Sequence, residues 1–155
     1  MSKMVEKMNL KNLTPDIDMT EKCLTVPDIN RPALQLTGYF DHFDSERVQV
    51  IGYVEYTYLQ TLPMEQKKKI YKQLLSYKIP CLVFTTEIFP DEELLKQANE
   101  TDTPVFSTEQ KTSPFQAELI RWLNVELAPC ISIHGVLVDV CLLYTSDAAD
   151  DRISV

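Results

Sequence analysis

Strand-like and helix-like segments alternate over residues 47–127, and this alternation constrains the fold more than any other feature of the chain. Three short segments rich in apolar and β-branched residues are typical of strands: residues 47–51, 80–85 and 104–107. Helices are predicted to begin at Pro63, at Pro90 and at Ser113, which Pro114 follows, because proline is favoured in the first turn of a helix. Alternation of this kind indicates βαβ units on one sheet. The sequence therefore predicts an α/β fold with a mostly parallel sheet flanked by helices.

The spacing of apolar residues predicts which faces of the helices are buried. In the helix that begins at Pro63, Ile70, Leu74 and Leu75 recur on one face, whereas the lysine run at 67–69 is expected to face solvent. Pro129 is expected to end the last of these helices, because proline lacks the backbone N–H that a helix interior needs. Residues 132–140 are then predicted to form a further strand.

The N-terminal part of the chain has weaker signals. Ser2 is expected to cap a short helix that runs to Leu10. Residues 22–26 have the composition of a short strand that Pro27 ends, and residues 34–37 alternate apolar and polar side chains. Both of these segments are therefore predicted to be extended.

Composition and charge exclude several classes of function. A chain of 155 residues, 45% apolar and 25% charged, is long enough for one ordinary domain with a real core. Its net charge of −8 is unfavourable for binding nucleic acid or an anionic membrane. No N-terminal signal is evident and no segment approaches about 18 uninterrupted apolar residues, so a cytoplasmic protein is expected. The scattered cysteines predict buried reduced thiols rather than disulfides or zinc ligands.

Two histidines are candidates for chemistry, His42 and His134. His42 lies in an acidic turn, and a solvated loop is its expected place. His134 lies at the start of the predicted strand at 132–140, where an imidazole and backbone polar groups can converge on a ligand. A lone histidine is more often a surface residue or a satisfied core residue, so residue types alone leave the role of His134 open.

A second candidate is a polar pocket formed by residues 30–32 and 37–40. Arg31, held beside the rigid Pro32, is suited to clamping a carboxylate or a phosphate. In the alternative, which the residue types favour, Arg31 pairs with a neighbouring acid while Tyr39 and Phe40 pack into the core.

No catalytic motif accompanies these residues. The carboxylates at 91–93 are explained by a helix start, and those at 41–46 by a solvated loop. The chain has no GxxxxGK(S/T) phosphate loop, no GxSxG and no HExxH motif, and it contains only 3 glycines. Residue patterns alone therefore predict a small α/β binding or interaction module without a catalytic constellation.

Three blocks of sequence, in order and suitably spaced, resemble the HPr kinase/phosphorylase family. They are residues 28–40, residues 47–52 with Glu55, Tyr58 and Leu59, and residues 132–140. The resemblance covers the chain from residue 1 to about residue 140, and it matches the family's N-terminal domain running into the first strand of the catalytic domain. The chain departs from the family pattern at Ala33, where glycine is more usual.

Members of this family are bacterial enzymes that use ATP and Mg²⁺ to phosphorylate a serine of the phosphocarrier protein HPr. They reverse the reaction by phosphorolysis and act in carbon catabolite regulation. The resemblance implies a Mur-ligase-like α/β fold for the N-terminal domain, a homo-oligomer (a hexamer), HPr as the partner, and His134 as an active-site residue. The family's phosphate-binding loop and Mg²⁺ ligands follow the strand that ends at Val140. No cofactor is therefore expected to bind this chain, which is predicted to be catalytically silent.

After Val140 the sequence leaves the family pattern. One choice of codons for residues 141–150 reads as a transposase sequencing adapter, so residues 141–155 are interpreted as a non-native tail. The expected organisation is an N-terminal domain at 1–128, the start of a truncated kinase domain at 129–140, and this tail. Two other interpretations stay open: a stand-alone non-catalytic α/β sensor or binding module, and an unrelated α/β interaction domain.

Overall fold

A computed structural model describes residues 1–20 and 22–135, and of residues 128–135 it describes the backbone alone. In chain order the elements are α1 (Ser2–Lys7), β1 (Lys11–Asn12), β2 (Ile29–Asn30), α2 (Ala33–Leu36), β3 (Val48–Ile51), α3 (Tyr53–Gln60), α4 (Met64–Ser76), β4 (Leu82–Phe84), α5 (Glu92–Glu100), β5 (Val105–Ser107) and α6 (Thr112–Gly135). The strands and helices predicted from residue 47 to residue 127 are confirmed in type and order.

The strands form one five-stranded sheet in the order β1-β5-β4-β3-β2. Strands β2, β3, β4 and β5 are mutually parallel, with Gln49 of β3 opposite Leu82 of β4. The short strand β1 is antiparallel to β5, and Lys11 pairs with Ser107. The prediction of a mostly parallel sheet is confirmed.

Helices cover both faces of the sheet and bury it between two apolar layers. Helices α2 to α5 pack on one face around a cluster that includes Leu74, Leu75 and Leu94. Helices α1 and α6 pack on the other face through Met4 and Phe115 among others. All four residues of β3 are buried, because a parallel sheet with both faces covered has no solvent side.

The N-terminal predictions need correction in three places. Helix α1 ends at Lys7 rather than Leu10, and Ser2 makes no side-chain cap. Residues 22–26 are not a strand; the position beside β3 is taken by Ile29–Asn30. Residues 34–37, predicted to be extended, belong mostly to helix α2, whose turn is closed by the Leu36 N–H donating to the Pro32 carbonyl at 3.0 Å.

Helix α6 does not end at Pro129, as the sequence predicts, but continues to Gly135. Residues 132–135 of the predicted strand are therefore helical, and residues 136–140 lie outside the described residues. A strand needs a neighbouring strand for its backbone hydrogen bonds, whereas a helix satisfies them within one segment. The helix keeps this advantage although Pro129 removes one donor.

Lys67 is buried, which contradicts the prediction that it faces solvent. Its ammonium group lies 3.3 Å from the carboxylate of Asp91 at the start of α5. The same carboxylate oxygen accepts a hydrogen bond from the Tyr71 hydroxyl at 2.9 Å. Lys67 thus joins α4 to α5, while Lys68 and Lys69 are exposed as predicted.

Candidate functional site

The carboxyl ends of the four parallel strands meet at one edge of the sheet, which we call the carboxyl edge. The residues that directly follow these strands are Arg31, Gly52, Thr85 and Thr108. Open parallel sheets bind their ligands outside this edge, where loops and helix N-termini converge. The carboxyl edge is therefore the candidate functional site.

An ion pair between Arg31 and Glu55 lies at its centre. Arg31 Nη2 is 2.7 Å from Glu55 Oε1, and the Glu55 side chain is only 5% exposed. The same oxygen accepts a hydrogen bond from the Gly52 N–H at 2.9 Å. Because Glu55 is the third residue of α3, its carboxylate also lies at the positive end of the helix dipole. The buried negative charge is thus balanced from three directions.

A second contact joins strand β4 to the start of α6. The hydroxyl oxygens of Thr85 and Thr112 are 2.7 Å apart and share a hydrogen bond. Between them and the ion pair lies Gly52, where an added Cβ would be 2.6 Å from Thr112 Oγ1 and 3.0 Å from Arg31 Nη2. Glycine is required here by the close approach of three elements, and this part of the edge is closed.

The loop after β4 has a backbone that L-residues rarely adopt. Thr86 and Glu87 have φ values of 60° and 57°, in the left-handed region. This conformation costs about 1–2 kcal/mol per residue, and a β-branched threonine is among the least suited to it. Two hydrogen bonds hold it: Thr86 N–H to the Gln110 carbonyl at 2.7 Å and Glu87 N–H to the Thr108 carbonyl at 2.9 Å.

The charged side chains Arg31 and Glu55 at the carboxyl edge neutralise each other. Arg31 Nε is buried and has no hydrogen-bond partner among the described residues. The guanidinium charge is nevertheless matched by Glu55, so this ion pair offers no net positive charge to an anion. No group of three or more His, Cys, Asp or Glu side chains within the described part of the chain is placed to hold a metal ion.

Two buried groups away from the edge have raised pKa values. Burial raises the pKa of the Cys81 thiol to about 12. Burial, and after it the neighbouring carboxylate of Asp91, raises the pKa of Tyr71. Both shifts favour the protonated form, so neither group is activated as a nucleophile.

Residues 30–32 and 37–40, the two segments of the candidate pocket, follow the favoured alternative in two of its three parts. Arg31 pairs with an acid, Glu55, which confirms the favoured alternative. Phe40 is buried and stacks on Tyr77 with 5.2 Å between ring centroids. Tyr39, however, is 49% exposed rather than packed in the core.

The structure places the two histidines in different elements, His42 in a turn and His134 near the end of α6. His42 is exposed in a turn with φ of 60°, which confirms the predicted solvated loop. His134 lies in the last part of α6, and its side chain is outside what the structure describes. The active-site role that the family resemblance implies for His134 stays a prediction.

Sequence reasoning did not identify Thr85 or Thr112 as site residues, and it did not identify Glu55 as the partner of Arg31. A signal for Glu55 was present, since an acid three residues after the residue that precedes a helix is a capping pattern. Thr85 and Thr112 carry no such signal, because their meeting depends on the parallel order of the strands.

Residues 1–123 match the family model described as the HPr serine kinase N terminus. The match spans more than half of the chain. The chain belongs to this family. The matched region ends at Leu123, which is also the last fully buried residue of α6 among the described side chains. Family membership confirms the resemblance that the sequence blocks carry and excludes an unrelated α/β domain.

Curated relatives of the chain are named HPr kinase/phosphorylase. The protein of Lachnoclostridium phytofermentans is 56% identical over 140 residues, which are 90% of this chain and 45% of the relative. That of Alkaliphilus metalliredigens is 37% identical over 138 residues, 89% of this chain and 44% of the relative. The chain therefore spans somewhat less than half the length of the relatives it matches.

A solved structure with a similar fold is the CBS and DRTGG region of a Clostridium perfringens pyrophosphatase, determined with its activator diadenosine tetraphosphate. The TM-score is 0.52 at 15% identity, over 77% of this chain and 45% of that one. At this identity the similarity concerns the fold alone. The likeness to a Mur ligase domain stays a prediction.

Proposed function

We propose that this chain is the N-terminal part of an HPr kinase/phosphorylase, a bacterial enzyme that phosphorylates a serine of HPr with ATP and Mg²⁺ and reverses the reaction. Family membership over residues 1–123 and the names of the curated relatives support this proposal. HPr would be the partner of this enzyme, which would assemble as a homo-oligomer and be located in the cytoplasm. Among the described helices, none combines the length and the apolar character that a membrane span requires.

Within this enzyme the described domain would not transfer phosphate. The observation that carries this part of the proposal is the Arg31–Glu55 pair on the N-terminus of α3. In nucleotide-binding α/β folds, backbone N–H groups at such a helix start cradle a phosphate. Here a buried carboxylate already accepts the Gly52 N–H, and it would repel a second negative charge.

The residues of the carboxyl edge do not fit Mg²⁺ or a nucleotide phosphate in other respects either. Phosphoryl transfer needs a phosphate cradle, a metal and a group that accepts the proton of the serine hydroxyl. The loops after β3 and β4 hold one glycine, Gly52, which is enclosed by Thr112 and Arg31. In the described ranges, no acidic cluster is arranged for a metal.

The remaining features of the family are proposals for the rest of the polypeptide. His134 would contribute to an active site completed by residues that follow the strand of the family's catalytic domain. Residues 1–128 would be the N-terminal domain, residues 129–140 the beginning of the kinase domain and residues 141–155 a non-native tail. This chain alone would bind neither ATP nor Mg²⁺.

The test is a phosphorylation assay with purified HPr, Mg²⁺ and ATP, read by phosphoserine mass spectrometry. We expect the 155-residue chain to form no phosphoserine above a control without enzyme. A gene product extended through a downstream GxxxxGK(S/T) loop, recovered by resequencing the locus, is expected to phosphorylate HPr. A circular dichroism spectrum with both helix and strand signals shows that the shorter chain is folded.

Each outcome decides one part of the proposal. Phosphoserine formed by the 155-residue chain would refute the proposal that this chain is catalytically silent. Two results would refute the proposal that the gene encodes an HPr kinase/phosphorylase and would favour a stand-alone binding module. One is an extended product that is folded but inactive on HPr, and the other is a natural stop codon after Val155 with no such loop downstream.

A further inference from the structure

A groove of about 740 Å³ lies beside the carboxyl edge and uses none of the residues of the Arg31–Glu55 junction. It is lined by the end of α1, strand β1, the loops that follow β4 and β5, and helix α6. The volume is that of small-molecule sites, roughly 300–1,000 Å³. Its place outside the ends of β4 and β5 is where open parallel sheets bind ligands.

Opposite charges line different walls of this groove. Lys7 and Lys11 belong to the α1 and β1 side, and Glu87, Glu109 and Glu118 belong to the loops and α6. Within residues 1–20 and 22–127, none of these five side chains makes an ion pair within 4.0 Å. Glu118 accepts one hydrogen bond, from Gln110 Nε2 at 3.2 Å. The groove therefore holds positive and negative groups apart, and each of them can still form an ion pair with a ligand.

An aromatic ring lies next to the positive wall. Phe89 is 47% exposed, and the Lys11 ammonium lies 5.1 Å from the centre of its ring. The backbone of Lys11 is fixed by its pairing with Ser107, and Glu87 by its bond to the Thr108 carbonyl. A ligand would thus meet a ring and a cation on a backbone that is already ordered, which lowers the entropic cost of binding.

We propose that this groove binds a zwitterionic apolar amino acid. Its carboxylate would lie toward Lys7 and Lys11, its ammonium toward Glu87 and Glu118, and its side chain against Phe89. Three glutamates against two lysines disfavour a nucleotide or another polyanion. The two lysines likewise disfavour a simple cation. The proposal is independent of the phosphorylation of HPr.

The test compares three probes that share a phenyl group: L-phenylalanine, 2-phenylethylamine and 3-phenylpropanoate. Each is titrated into the ¹⁵N-labelled 155-residue chain, and amide shifts are followed by NMR. L-Phenylalanine is expected to cause saturable shifts at Asn9, Lys11, Thr108 and Gln110. The two singly charged probes each lose one charged contact and should bind on the order of 10-fold more weakly.

Matched variants locate the binding. Lys11→Gln and Glu118→Gln are each expected to weaken L-phenylalanine binding several-fold, whereas Lys72→Gln, an exposed lysine on α4, should leave it unchanged. If Lys11→Gln does not fold, Lys7→Gln on the exposed face of α1 replaces it. Absence of saturable shifts, equal binding of a singly charged probe, or an equal effect of Lys72→Gln would overturn the proposal.

Discussion

Replacing Asp91 by alanine is expected to lower the free energy of unfolding by about 3 kcal/mol. Asp91 caps helix α5, since its Oδ1 accepts the Leu94 N–H at 3.0 Å. Its Oδ2 accepts from the Tyr71 hydroxyl at 2.9 Å and from the Lys67 ammonium at 3.3 Å. One carboxylate therefore holds two helices and a lysine whose side chain is 9% exposed.

Three losses make up this magnitude. Loss of the cap costs about 1 kcal/mol, and a Tyr71 hydroxyl without its acceptor costs about 1 kcal/mol more. A fully buried lysine left without its partner would cost about 3–5 kcal/mol. Because Asp91 is 23% exposed and a long lysine side chain can turn its head to water, we reduce this part to about 1 kcal/mol.

The measurement is urea unfolding followed by the fluorescence of Trp122, the single tryptophan, and by circular dichroism. Lys67→Met should be nearly neutral, because an apolar chain of similar length replaces a buried charge, and adding it to Asp91→Ala should restore about 1 kcal/mol. The surface control is Lys3→Met: Lys3 is 79% exposed beside Glu126, and the change should stay within about 0.5 kcal/mol. A cost below about 1 kcal/mol for Asp91→Ala, or a double variant as unstable as the single one, would refute the reasoning.

Three further predictions concern other parts of the molecule. Gly52→Ala is expected to cost about 2 kcal/mol in urea unfolding, because its methyl group would overlap Thr112 Oγ1, and adding Thr112→Ala should recover about half of the loss. Alkylation by iodoacetamide, mapped by mass spectrometry, should modify exposed Cys23 on the order of 100-fold faster than Cys81, which is buried and has a raised pKa; similar rates would contradict this. Folding raises the pKa of Tyr71 above its ordinary value of 10.0, so its contribution to stability is complete below that pH and is lost as the pH rises further. The free energy of unfolding should therefore fall more steeply above about pH 10 in the wild type than in Tyr71→Phe, and parallel curves would count against the shift.

The parallel core could be predicted because local signals and tertiary packing agree there. Buried apolar runs mark β3, β4 and β5, and prolines mark helix starts. Strands β1 and β2 have two residues each, too few for any periodicity, and they are defined only by their partners. Helix α6 passes Pro129 for a related reason, since residue type gives a preference that the wider structure can override.

Lys67 shows the same limit at a single position. It was predicted to face solvent with the rest of the lysine run, although it lies on the face of α4 that carries Ile70, Tyr71 and Leu74. Spacing decided the outcome because Asp91, which arrives from α5, supplies the missing partner. The sequence likewise predicted that Arg31 pairs with an acid but did not identify that acid as Glu55. Only the adjacency of β2 and β3 brings the two residues together.

The pairing of β1 with β5 sets an order of events during synthesis. Lys11 leaves the ribosome roughly 100 residues before Ser107, its partner across the sheet, a delay on the order of 5–20 s at usual elongation rates. Strands β2 to β5 can add to the sheet one after another as they emerge, because each lies beside its predecessor. Met4 and Met8 must meanwhile remain without the α6 side of their core. Helix α1 and strand β1 are thus made before the other elements of this domain but are the last to be buried, and we expect chaperones that hold emerging polypeptides to bind them.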